Sequence, residues 1–236
     1  MSFKTLLLTG SVAAAILMSS TSAFAGANLL TNGSFGNGFS GWTMSDSGAG
    51  TTTSNEEVIA TDNVARNYPT GAYGQAVAND MLTTGSPDIS SGHAAYFSTD
   101  TGTQTLSQTI ALNAGTYSIG FDVYVPANGY GNPNDATFSG TVAGTSLISD
   151  ASVAAIGKAD GTNTWTLVYG TANIATAGNY AVDFSFTGST ATAKDILVDR
   201  VFVIPGTVNV PEPGSLALFG TALVGLGLVL RRRNRA

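Results

Sequence analysis

From Tyr117 the chain alternates. Tyr117, Ile119, Phe121, Val123 and Val125 are apolar, and Ser118, Gly120, Asp122 and Tyr124 stand between them. A period of two predicts a half-buried β-strand. Tyr180, Val182, Phe184 and Phe186 repeat the pattern against Ala181, Asp183 and Ser185. Both runs open as Gly-x-Tyr-x-aliphatic-x-Phe, from Gly115 and from Gly178, which predicts two equivalent places in one sandwich. Asn113-Ala114 and Thr176-Ala177 precede them as turns.

Further strands are expected at Thr105–Leu112, Trp165–Tyr169 (Trp165, Leu167 and Tyr169 on one face) and Ile196–Ile204. Weaker patterns lie at Asn28–Leu30, Trp42–Met44, Val58–Ala60, His93–Phe97, Ala136–Val142 and Ser146–Ile148. Ser149–Ile156 reads as a short helical turn, Asn128–Asp135 as a long polar loop, and Ser45–Ser91 as the least regular stretch. Many short strands joined by turn residues predict an all-β fold, an antiparallel β-sandwich of jelly-roll type, rather than a parallel sheet.

The two ends do not belong to that pattern. Lys4, the apolar Leu6–Met18 and Ala23-Phe24-Ala25 form a charged region, a short apolar core and an Ala-x-Ala cleavage site. This predicts a signal peptide over residues 1–25, cut after Ala25. At the other end come Val210-Pro211-Glu212-Pro213, an apolar run with a transmembrane helix expected over 215–230, and Arg231, Arg232, Arg233 and Arg235. The prolines keep Glu212 on an extended segment. The arginines belong on the cytoplasmic side. Leu216–Leu230 as a helix would span roughly 22 Å against a hydrocarbon core of ~30 Å, which suits a transient anchor. In order and position this tail resembles the PEP-CTERM sorting signal of exported bacterial proteins. The resemblance implies an exosortase and the secretion machinery as partners, cleavage near Pro211–Pro213, and a precursor tethered to the inner membrane before display at the cell surface or release.

Between the ends lies a body expected to be one domain over 26–205, with 206–236 as the sorting segment. The whole chain has nine basic and fifteen acidic residues. Five of the basic ones lie in the terminal signals, so Arg66, Lys158, Lys194 and Arg200 face fourteen carboxylates in the body. So acidic a body excludes nucleic acid as a partner. There are no cysteines, so stability rests on packing and hydrogen bonds.

The body opens Asn28-Leu-Leu-Thr-Asn32-Gly-Ser-Phe35, continues to Gly41-Trp42, and closes Ile196-Leu-Val-Asp199-Arg-Val201. It resembles the carbohydrate-binding-module and galactose-binding-like jelly rolls, although Gly36 stands where that family often has a glutamate. Asp199 reads as sharing a face with Val201 and Val203. The resemblance implies a structural calcium there, whereas residue reasoning alone offers backbone N–H donors, Arg200 or Lys194 as partners. No other cofactor is expected. Trp42, Tyr124 and Tyr130 are candidate sugar-contacting rings, and Trp42 and Trp165 also fit a core. His93 is the one histidine, and Glu56 and Glu57 are adjacent, so neither supplies an obvious catalytic constellation. The expectation is a non-catalytic envelope or matrix protein linked to exopolysaccharide. A secreted glycan hydrolase and a self-assembling surface-layer subunit remain as alternatives.

Overall fold

The computed structural model describes residues 26–47, 57–81, 88–160 and 163–206. The predicted signal peptide, the Val210–Pro213 motif, the 215–230 helix, the arginine cluster and Glu56 lie outside them. Among the described residues no helix is long and apolar enough to cross a membrane.

Among the described residues ten strands form two antiparallel five-stranded sheets. In chain order they are β1 (Thr43–Asp46), β2 (Glu57–Ala60), β3 (His93–Phe97), β4 (Thr101–Leu112), β5 (Gly115–Tyr124), β6 (Ala136–Val142), β7 (Thr145–Ser152), β8 (Thr166–Ile174), β9 (Gly178–Ser189) and β10 (Ile196–Pro205). One sheet runs β1-β4-β9-β6-β7 and the other β2-β3-β10-β5-β8. Two short helices, α1 (Ala127–Tyr130) and α2 (Val153–Asp160), interrupt the connections. The predicted helical turn at Ser149–Ile156 therefore starts four residues too early, because β7 runs on to Ser152.

The two Gly-x-Tyr strands fall in different sheets and, contrary to expectation, not in equivalent places: β9 is the central strand of its sheet, whereas β5 lies one strand in from the edge of the other. Their tyrosines act alike: Tyr117 donates its hydroxyl to the Asn113 carbonyl (3.0 Å), and Tyr180 donates to Thr176 (2.7 Å). Each ring packs at the edge of the core while its hydroxyl ties down the turn before its strand, so the motif specifies a strand and its entry together.

Between the sheets lies an aromatic core. Phe184 meets Phe121 edge-on at 5.0 Å and stacks over Phe138 at 6.1 Å, and Phe97 meets Phe138 at 5.9 Å. Glycine makes room for these rings: a Cβ on Gly140 would lie 2.5 Å from Phe121 Cζ.

A second core lies on the outer face of the β2-β3-β10-β5-β8 sheet. Ile59, Ala94, Tyr96, Tyr124, Trp165 and Leu197 pack there beneath Ala72 and Val77. The segment after β2 crosses this face, and Trp165 donates its Nε1–H to the Ala78 carbonyl in it (2.7 Å). The central strands are therefore buried on both faces. β5 is covered from Tyr117 to its end and β10 over all but its last residue. The expected half-buried strand at Tyr117–Val125 is corrected on this point.

Asn28–Leu30 forms no regular strand, yet it is stitched to β10. Leu29 N–H donates to Val203 O (2.9 Å), and the Asn28 amide donates to Val201 O (2.8 Å) while accepting from Val203 N–H (3.0 Å).

Candidate functional site

β10 carries an irregularity between Asp199 and Phe202, with Arg200 at φ 50°. This bulge resets the alternation. Asp199 therefore does not share a face with Val201 and Val203. It lies with Leu197 on the outer face, directly opposite Asp122 of β5 in the ladder. The burial inferred for Asp199 holds, but its cause is the crossing segment rather than the inter-sheet core.

A buried ionic cluster results. Arg200 Nη1 stands 3.2 Å from Asp80 Oδ1 and 3.4 Å from Asp122 Oδ2, and Nε donates to the Asp88 carbonyl (3.0 Å). Asp199 accepts hydrogen bonds from its neighbour's N–H and from Ser90 Oγ, each at 2.7 Å. Burial pushes Asp122 up to about 9, and the adjacent Asp80 carboxyl pushes the same way. Burial likewise pushes Asp199 up to about 8, with the Ser90 bond opposing. The Arg200 guanidinium is the cation that this cluster holds. Among the described residues no three His, Cys, Asp or Glu side chains are placed to hold a metal ion. This donor set does not fit calcium, whose six to eight hard oxygens cannot gather around an arginine. Lys194, the other cation considered for Asp199, is elsewhere: its ammonium donates to the Tyr130 and Asn132 carbonyls.

The candidate sugar-contacting rings are placed as follows. Tyr124 points away from Phe121, as its register requires, but it is 1% exposed and lies 5.0 Å from Trp165 beneath the crossing segment. Trp42 is buried between Phe35 and Phe184 and donates Nε1–H to Asn32 O (3.1 Å). Neither ring offers a face to a ligand. Tyr130 is partly buried, its face covered by the Lys194 ammonium at 4.9 Å. Trp165 packs in the outer core, whereas Tyr169, on the same strand face, is exposed. His93 is exposed on β3, with Nδ1 3.2 Å from Ser91 O. Glu57 is partly buried in β2.

The structure brings together a different set. Ile196 pairs with Phe97, Leu197 with Tyr124, Thr101 with Ser189, and Ala136 with Gly188. These registers bring the β3–β4, β5–β6 and β9–β10 connections to one end of the sandwich. There a cavity of about 370 Å³ is lined by Tyr73, Ser98, Asp100, Asn128, Gly129, Asn132, Thr192, Ala193 and Asp195. Its walls are fastened by backbone and amide bonds: Ala193 N–H to Asp100 Oδ1 (3.0 Å), Asn132 Nδ2 to Ala193 O (2.5 Å), and Asn128 Nδ2 to Ala72 O (2.7 Å).

Three features give this cavity chemical character. Tyr73 is 48% exposed and stacks on Tyr68 at 5.1 Å with 9° between the rings, so one phenol face is braced from behind. Asp195 is 4% exposed and accepts one hydrogen bond, from Tyr96 Oη at 2.6 Å. Burial pushes Asp195 up to about 7, with the Tyr96 bond opposing and Asp100 adding. Ser98 Oγ is buried with no hydrogen bond of normal geometry, although the Tyr73 phenol is close by.

Sequence reasoning missed Tyr73, Asp100 and Asp195. The signal available was the polar Asn128–Asp135 stretch, expected as a loop but beginning within α1, which does supply Asn128 and Asn132. Nothing in a linear reading connects that loop to Tyr73 or Asp195, which join it only through strand register.

Residues 209–233 match the PEP-CTERM protein-sorting motif, as expected from the Val210–Pro213 and arginine patterns. A motif of this kind implies an exported protein that an exosortase processes after transient membrane anchoring. No curated protein matches the chain. Solved structures similar to it include carbohydrate-binding modules. The module TmCBM61, solved with β-1,4-galactotriose, is 17% identical with a TM-score of 0.46, and the match covers 76% of this chain and 99% of that one. A family 16 carbohydrate-binding module is 15% identical with a TM-score of 0.39, over 75% and 99% of the two chains. The CBM22-1 xylan-binding domain of Paenibacillus barcinonensis Xyn10C is 15% identical with a TM-score of 0.39, over 78% and 97%.

Proposed function

We propose that this chain is an envelope or matrix protein whose β-sandwich binds a saccharide in the end cavity without turning it over. In this reading the N-terminal signal sends the body across the membrane, and the tail holds it there until an exosortase cuts near Pro211–Pro213. The released or displayed domain then attaches to the cell's own exopolysaccharide. The observation that carries the reading is the cavity itself. Its volume of about 370 Å³ falls in the range of small-ligand sites, and its lining joins one aromatic platform to several convergent polar groups. A sugar presents the complementary surface, an apolar ring face edged with hydroxyls. The test measures retention of the protein on immobilised exopolysaccharide alongside product release from the same material. Retention without new reducing ends supports binding, and failure to be retained refutes it.

A hydrolase is the second reading, favoured by one observation. Asp100 and Asp195 line the same cavity, and burial holds Asp195 at about 7, within the range of a general acid. Release of sugar that stops in Asp195→Asn would select it.

A further inference from the structure

We propose, building on the saccharide reading of this same cavity, that its occupant carries a protonated primary amine: an amino sugar whose nitrogen is free rather than acylated. The lining contains two carboxylates, Asp100 and Asp195, and no basic side chain. Lys194 is next to Asp195 in sequence, but its ammonium is held by two backbone carbonyls and the Tyr130 ring. Arg66, in the segment that carries Tyr73, is paired with Asp62 at 2.6 Å. The cavity therefore has two carboxyl groups, of which Asp195 is about half ionised at neutral pH because burial pushes it up to about 7, and no basic side chain of its own in its lining.

Those groups are also short of donors. An ionised carboxylate can accept about four hydrogen bonds, yet Asp195 accepts one, from Tyr96, at 4% exposure. Ser98 Oγ is 6% exposed, lines the same wall, and has no normally formed bond. An ammonium brings three donors and a positive charge in a volume no larger than a hydroxymethyl group. Its bonds to carboxylates are charge-assisted and roughly twice as strong as those from a neutral hydroxyl. Uronic and sulfated sugars meet like charge here, and in a body with four basic against fourteen acidic residues the surrounding field has the same sign. A hard divalent cation fits less well. It needs about six oxygens, and the Asn128 amide is committed, donating to Ala72 O and accepting from Gly129 N–H.

The experiment is titration calorimetry on the full chain, solubilised in a detergent without a sugar headgroup. Three tetramers of one β-1,4-glucan backbone are compared: glucosamine, N-acetylglucosamine and glucose. The expected result is that the glucosamine tetramer binds about tenfold or more tightly than the other two, the worth of one charge-assisted bond. That preference should vanish in Asp195→Asn. Should Asp195→Asn melt early, Asp100→Asn serves instead, because Asp100 is partly exposed. Equal binding of the three tetramers overturns the amine assignment and leaves the saccharide reading standing. Failure of all three to bind overturns both. Calcium that binds the apo protein and displaces the glucosamine tetramer also overturns it, because the charge would then be met by metal.

Discussion

Replacing Arg200 by methionine removes the one guanidinium from a cluster holding Asp80, Asp122 and Asp199. All four side chains are buried, with Asp80 3.2 Å and Asp122 3.4 Å from the Arg200 Nη1 atom. Burial raises Asp122 to about 9 and Asp199 to about 8, so at neutral pH both largely keep their protons, and of the two carboxyls paired with the Arg200 guanidinium Asp80 is the nearer. Without Arg200, Asp80 and Asp122 lose the guanidinium that stands 3.2 and 3.4 Å from them beneath the crossing segment. Breaking a buried pair in this way costs about 3–5 kcal/mol. Part of the loss is mechanical, because the Nε bond to the Asp88 carbonyl, which ties the crossing segment to β10, disappears as well. The assay is urea unfolding of wild type, Arg200→Met, Asp80→Asn and the double variant at pH 5 and pH 8. The deficit of Arg200→Met should be larger at pH 8, because Arg200 opposes the upward shift that burial imposes on Asp122 and Asp199, and its loss is felt only where those two groups begin to ionise. The double variant should be less destabilised than the two singles added, by at least about 1 kcal/mol of coupling. A loss below about 1 kcal/mol, the same at both pH values, would refute the picture of a charge-balanced cluster holding the segment down.

Wild-type stability should fall as pH rises. Asp122 and Asp199 keep their protons in the folded state up to about 9 and about 8, whereas unfolded aspartates release theirs near 4, at about 3.9. The native state therefore binds more protons across that window, and linkage makes stability decline through it and level off above about pH 9. Asp80, Arg200 and Ser90 are the groups facing the pair, and Asp122→Asn should flatten the slope of melting temperature against pH. Gly140→Ala should cost about 1–3 kcal/mol by overpacking, because its new methyl would stand 2.5 Å from Phe121 Cζ; thermal denaturation measures it. Tyr73→Ala should leave the melting temperature nearly unchanged, since the ring is 48% exposed, while weakening saccharide retention about tenfold. Replacing Pro211-Glu212-Pro213 by alanines should leave the tail uncut, which mass spectrometry of the C-terminus would show as a species still carrying Arg235.

Much of this molecule was legible without coordinates, because much of it follows from local rules. Alternation at Tyr117–Val125 and Tyr180–Phe186 reports which side chains share a face, and pleating enforces that period wherever the strand lies. The Gly-x-Tyr openings were readable as alike because each tyrosine bonds only four residues back. The tail was readable for the same reason, since proline stiffness, apolar length and arginine position are properties of adjacent residues, and residues 209–233 do carry the sorting motif.

Tertiary structure alone decided which faces are covered and which loops meet. Alternation correctly turned Tyr124 away from the main core, but it could not show that Ala72 and Val77 would pass over it and Trp165 to make a second core. The irregular segment that carries those residues has no period to read. Asp199 was assigned the wrong face because a single left-handed residue, Arg200, resets the count. The end cavity unites residues as far apart as Tyr73 and Asp195. Their meeting depends on strand order, and strand order minimises exposed apolar area over the whole sandwich, a quantity no short window of sequence contains.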